Sequence, residues 1–285
     1  MPYSTLINPP ALRPLLGNGK LALFDCRHAL MDPAYGRKAY DAGHLPGALF
    51  ADMDHHLAAP PSREAGRHPL PDLDVFAAWL GTQGVGEGVQ VVAYDDGPGA
   101  FAARLWWMLR YLGHDAVAVL DGGLKAWMAE DGPIETAEPQ PTPRIFTAHP
   151  TPALLAPLEE VAAHLEDGSL RLIDARALER YEGKSEPLDP VAGHIPGAQN
   201  LPFDGNLGQD GRFLLPDALK ARFTQRLGGH PPQQAVHYCG SGVTACHNLL
   251  AQAHAGLAQG RLYPGSWSQW CGDPARPVES GPSPR

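Results

Sequence analysis

The chain repeats itself with a period near 150 residues, and this constrains its fold more than any other feature. Gly43-His44-Leu45-Pro46-Gly47-Ala48 recurs as Gly193-His194-Ile195-Pro196-Gly197-Ala198. Leu23-Phe24-Asp25-Cys26-Arg27 matches Leu172-Ile173-Asp174-Ala175-Arg176, and Val92-Ala93-Tyr94-Asp95 matches Val236-His237-Tyr238-Cys239. The block from Asp121 to Trp127 matches that from Pro264 to Trp270. Four matches in one order, with spacings drifting only from 150 to 143 residues, are hard to obtain by chance. The period is far too long for a solenoid, so it implies duplication of a whole domain.

Between the halves lies a stretch with Pro139, Pro141 and Pro143, which reads as an extended, semi-rigid linker. The expected division is a first domain over 1–134, a linker over 135–152 and a second domain over 153–285. Each half alternates short apolar runs with helical patterns. Runs at 21–24, 89–94 and 116–120, then 170–173, 235–238 and 260–263, read as buried parallel strands. Helices are expected over 75–81, 100–112, 158–166, 216–227 and 244–255. Strand–helix alternation predicts an α/β fold, each domain a central parallel sheet flanked by helices. In such sheets ligands gather at the carboxyl ends of strands, where both Asp95 and Cys239 fall.

Cys239 opens the loop Cys239-Gly240-Ser241-Gly242-Val243-Thr244, between an expected strand and an expected helix. Glycines let the backbone turn sharply with amides pointing inward, and the helix adds the positive end of its dipole. Such a cradle stabilises an anion, and the thiolate is the reactive form of cysteine. The competing reading is a buried cysteine in a tight turn. The first half carries Asp95-Asp96-Gly97-Pro98-Gly99-Ala100 at the matching place; a carboxylate forms no persulfide, and proline removes one cradle N–H. The first domain is therefore expected to be catalytically silent.

Composition excludes other classes. Lys and Arg total 22 against 31 Asp and Glu, a net charge of −9 with the acidic residues scattered, which argues against nucleic acid or an anionic membrane as partner. No apolar run approaches a membrane span, and no basic-then-apolar start suggests a signal peptide, so a cytoplasmic location is the default expectation. The four cysteines (26, 239, 246 and 271) form neither a disulfide framework nor a CxxC metal pair.

Together the paired Gly-His-(Leu/Ile)-Pro-Gly-Ala motifs, the Asp-Gly-Gly block, the Gly-Ser-Trp-Ser-Gln-Trp block and the Cys239 loop resemble the tandem-domain rhodanese family of sulfurtransferases, over nearly the whole chain. The resemblance implies two alike α/β domains, with the active site in the second. It implies that Cys239 takes a sulfane sulfur from a small anionic donor as a persulfide. That sulfur then passes to cyanide, a thiol or a thioredoxin-like acceptor, with no metal or organic cofactor. Members preferring 3-mercaptopyruvate tend to carry Cys-Gly-Ser-Gly-Val-Thr, as here, whereas thiosulfate-preferring members place basic residues after the Cys. The resemblance thus makes Gly240, Gly242, Val243 and Thr244 donor-binding, and Ser241 a hydrogen-bond donor to the developing enolate. It joins Ser241 to Asp54 and His68, whose bland readings are a turn cap and an exposed loop histidine.

Arg180 matches the first of two donor-binding arginines of the family. The second falls near Asp189, a departure that questions strict mercaptopyruvate specificity, with Lys184 as a partial substitute lacking a planar fork. His44 and His194 recur in both halves and read as loop-fixing, as do Asp25 and Asp174. Trp267 and Trp270 read as packing, with Trp267 also a possible wall of the cleft. Cys246 reads as a small core residue, with a Cys239–Cys246 redox disulfide as its rival. Pro264 stands where the family has Asp. A Cys-dependent phosphatase would need Arg where Ala245 stands. A sulfur carrier or binding module serving one protein partner is the other alternative.

Overall fold

The computed structural model describes residues 2–282. The chain divides into two compact units: residues 1–59, 70–151 and 209–212 form the first, and 60–69, 152–208 and 213–285 the second. Both are built on parallel sheets, the α/β architecture that strand–helix alternation predicts.

The first sheet uses β1 (Leu6–Ile7), β2 (Leu21–Asp25), β3 (Ala48–Phe50), β4 (Gln90–Tyr94) and β5 (Val117–Leu120), ordered β1-β5-β4-β2-β3. The second uses β6 (Arg171–Asp174), β7 (Gln199–Asn200), β8 (Ala235–Tyr238) and β9 (Arg261–Leu262), ordered β7-β6-β8-β9. The order β3-β2-β4-β5 is thus repeated as β7-β6-β8-β9. Even β1 has a counterpart, because Leu155 forms a single parallel bridge to Leu262. The central strands are buried along almost their whole length, as strands covered on both faces must be.

Helices fill the intervals, including Leu73–Thr82, Ala100–Tyr111, Leu158–Asp167, Pro216–Leu227 and Thr244–His254. Sequence patterning misses the short β3 and β7, because neither run is long enough to show a period. Residues 136–150 are free of helix and strand. Part of this stretch is tied to the first unit, Arg144 N–H donating to Gly81 O and His149 N–H to Leu112 O.

The repeated motifs prove to be loop anchors. Asp25 and Asp174 each accept the amide of the residue two further on and grip that residue's guanidinium. Arg27 then donates to Gly43 O, and Arg176 to Gly193 O. His44 stacks on Tyr40 and His194 on Tyr181, and each ring lies within hydrogen-bond distance of that tyrosine's carbonyl. One buried carboxylate–guanidinium pair therefore fixes the turn after β2 and its counterpart after β6. Burial opposes the charge on Arg176, but Asp174 outweighs it and raises the arginine's pKa. No helix among the described residues is long and apolar enough to cross a membrane.

Candidate active site

In the second unit, β8 ends at Tyr238 and delivers Cys239, 2% exposed, into the turn that starts the helix Thr244–His254. Its amide donates to Ser266 Oγ, and its carbonyl accepts from Trp267 N–H. Gly240 O accepts from Ser268 N–H. These bonds clamp the loop from the C-terminal side. Gly242 N–H points at Cys239 Sγ, 3.1 Å away, and Gly242 sits at φ +78°, where only glycine is unstrained. Val243 and Thr244 bring the chain into the helix, whose first N–H groups have no side-chain cap. Of the inward amides expected from the glycines, Gly242 N–H is aimed at the sulfur.

Ser241 Oγ lies 2.7 Å from His68 Nδ1, and both side chains are buried. His68 belongs to the second unit because the whole segment 60–69 does. That segment closes on itself through paired backbone bonds between Ser62 and Gly66. It is tied down by Gln269 Nε2 donating to Glu64 O (2.6 Å) and by Arg67 N–H donating to Ser268 Oγ (3.0 Å). His68 is thus not an exposed loop histidine. Asp54 belongs to the first unit, in a turn where its amide donates to Asp52 Oδ1 and its carboxylate lies 4.0 Å from His28.

Two guanidinium groups close on Gly240. A Cβ built there would stand 2.6 Å from Arg67 Nη2 and 3.3 Å from Arg180 Nη2. Arg180 was legible from the family position; Arg67 was not. The carboxylate of Asp189 explains both positions: one oxygen pairs with Arg67 Nη1 and the other lies 3.3 Å from Arg180 Nη2. Arg67, from the segment 60–69, thus stands beside Gly240 together with Arg180. Glu186 completes the network, bonding Arg180 at Nε and Nη2 and Arg176 at Nη1. Burial pushes Glu186 up, but its bonds to Arg180 outweigh this and hold it below the usual carboxylate range. Burial raises Asp189, and Arg67 only partly offsets it. Lys184 is 69% exposed and paired with Glu182, so it is no substitute at Gly240.

Arg67 and Asp189 also line a cavity of about 660 Å³ with Leu188, Val191 and Cys271. Trp267 is fully buried under the Arg176 guanidinium, 4.7 Å from its ring, and serves packing. Cys246 is buried on the helix, its thiol donating to Gly242 O. Nothing in the structure explains Pro264.

In the first unit the matching cradle is filled by the protein itself. Asp95 accepts N–H bonds from Gly97, Gly99, Phe101 and Ala102 at 2.9–3.2 Å. A fixed carboxylate sits where the second unit carries a thiol.

The family model for the rhodanese-like domain matches residues 8–130 and again 157–273. The chain belongs to the rhodanese family. It is 49% identical to a probable 3-mercaptopyruvate sulfurtransferase of Pseudomonas aeruginosa, over 99% of this chain and 100% of that protein. It is 40% identical to a putative thiosulfate sulfurtransferase, SseB, of Mycobacterium tuberculosis, over 92% and 91% of the two chains. Among solved structures, the 3-mercaptopyruvate sulfurtransferase from Leishmania major superposes with a TM-score of 0.82 at 30% identity, covering 94% of this chain and 74% of that one. The family's duplicated architecture accounts for both the repeat and the shared strand order.

Proposed function

We propose that this chain is a sulfurtransferase that moves a sulfane sulfur from 3-mercaptopyruvate or thiosulfate, through a persulfide on Cys239, to a thiol or cyanide. The observation that carries the reading is the Cys239 thiol at the end of β8, met by Gly242 N–H in a loop without charged residues. The full-length relatives named for this chemistry support it.

In the first half-reaction the Cys239 thiolate attacks the donor sulfur. With 3-mercaptopyruvate the carbon–sulfur bond breaks and its electron pair passes into the carbonyl, giving a persulfide and the enolate of pyruvate, which then takes up a proton. With thiosulfate the sulfur–sulfur bond breaks and sulfite leaves. In the second half-reaction the acceptor attacks the outer sulfur and Cys239 leaves as thiolate, a ping-pong scheme. Ser241 is assigned to the enolate oxygen as hydrogen-bond donor, with His68 holding the hydroxyl and able to exchange its proton. Arg180 is assigned to the donor's anionic end, and Gly240 to Thr244 form the cradle around sulfur. Asp54 enters this relay by the family resemblance. The first unit supplies no nucleophile, since Asp95 fills its own cradle.

Ser241 favours 3-mercaptopyruvate, because only that donor develops an enolate. The test is thiocyanate formation with each donor and cyanide, together with intact mass after donor treatment. One added sulfur is expected on the unmodified protein and none on Cys239→Ala. Transfer retained by Cys239→Ala with both donors would falsify the assignment.

A further inference from the structure

Resting on the sulfur-transfer reading, we propose that Arg67 is the second donor-binding guanidinium of this enzyme and that Asp189 is the residue that positions it. The nitrogen inventory of the two arginines carries this. Arg180 spends Nε and Nη2 on Glu186, with Nη2 also near Asp189. Its Nη1 has no acceptor among the described residues and would stand 3.6 Å from a Cβ at Gly240. Arg67 spends Nη1 on Asp189, while its Nη2 has no acceptor among the described residues and stands 2.6 Å from the same point. Each arginine therefore presents one uncommitted nitrogen beside the residue that follows the nucleophile. Two such nitrogens suit the two oxygens of one carboxylate.

Asp189 cannot itself bind an anion, yet its position is informative. Its carboxylate is 3% exposed and its amide donates to Glu186 Oε1, so it is a fixed bracket. The bracket holds Arg67 by Nη1 and lies 3.3 Å from Arg180 Nη2, which leaves Arg67 Nη2 and Arg180 Nη1 beside Gly240.

The charge count adds a consequence for donor choice. Arg67, Arg176 and Arg180 are matched by Asp174, Asp189 and Glu186, so the cluster is neutral before the donor arrives. A neutral cluster accepts one extra negative charge more readily than two. This favours a monoanionic oxo-acid thiol over dianionic thiosulfate.

Arg67→Ala should raise KM for 3-mercaptopyruvate about tenfold or more while kcat stays within about threefold, and product inhibition by pyruvate should weaken in parallel. Arg67→Lys should recover only part of the loss, because an ammonium has no planar fork. Asp189→Asn removes a negative charge and frees the arginines. It should raise the thiosulfate-to-mercaptopyruvate ratio of kcat/KM about fivefold or more. Thermal melts of the variants are compared with the unmodified protein to separate misfolding from lost recognition. A KM within about twofold in folded Arg67→Ala, or a fall in kcat alone, overturns the role of Arg67. An unchanged donor ratio in folded Asp189→Asn overturns the role of Asp189. Failure of the unmodified protein to form a persulfide with either donor overturns the sulfur-transfer reading instead.

Discussion

Replacing Ser241 by alanine tests the proton chemistry with its own internal control. The substitution deletes the hydroxyl that lies 2.7 Å from His68 Nδ1 and leaves Cys239, Gly242 N–H and both arginines in place. A preorganised donor to a developing oxyanion contributes about 2.7–4 kcal/mol, so mercaptopyruvate turnover should fall about 100- to 1,000-fold. Thiosulfate develops no enolate: its sulfur–sulfur bond breaks and sulfite departs. Its rate should stay within about threefold, the size of a small packing change at a buried serine. The assay is thiocyanate release with each donor at saturating cyanide, with single-turnover persulfide formation followed by intact mass. On the proposed relay, in which His68 works through Ser241, Ser241→Ala and the double variant with His68→Ala should lose similar amounts rather than multiply. Equal losses with both donors, or fully additive effects, would refute the reasoning. A collapsed loop slows both donors, and independent roles multiply.

The cradle and its silent counterpart give two more predictions. Gly242→Ala forces an L-residue to φ +78°, costing about 1–2 kcal/mol, and disturbs the only amide seen on Cys239 Sγ among the described residues. Iodoacetamide should alkylate Cys239 about threefold more slowly at neutral pH in this variant, because the sulfur loses its amide donor; an unchanged rate sinks the cradle argument. In the first unit, burial pushes Asp95 up to about 6 despite its four N–H bonds. A carboxyl raised in the folded state contributes stability that is complete below its unfolded value near 4 and lost as pH rises through about 6. The stability difference between the protein and Asp95→Asn should therefore shift against the native residue by about 3 kcal/mol from pH 4 to pH 7. Chemical denaturation at several pH values would show this, and a flat difference would remove the claim.

Much of the architecture is legible in residue order, because each signal is local. The repeat exposes two domains; apolar runs ending in Asp or Gly locate central strands; Cys239 followed by two nearby glycines marks the turn that carries a thiol. The anchoring role of His44, His194, Asp25 and Asp174 is legible too, since the same residues recur in a half without a nucleophile. The short strands Ala48–Phe50 and Gln199–Asn200 are not, because three and two residues show no periodicity.

What sequence alone determines here is the turn around Cys239, since backbone torsion and helix start are written within a few residues of it. What only the tertiary structure decides is the set of side chains around that turn. Ser241 meets His68 across 173 residues, and Arg67 meets Asp189 across 122. No local pattern encodes such pairings, which depend on the segment 60–69 packing with the second unit. Read in order, Asp189 is an arginine lost. In the folded chain it is the carboxylate that turns Arg67 and Arg180 toward Gly240, because a buried charge must find its partners wherever the fold brings them.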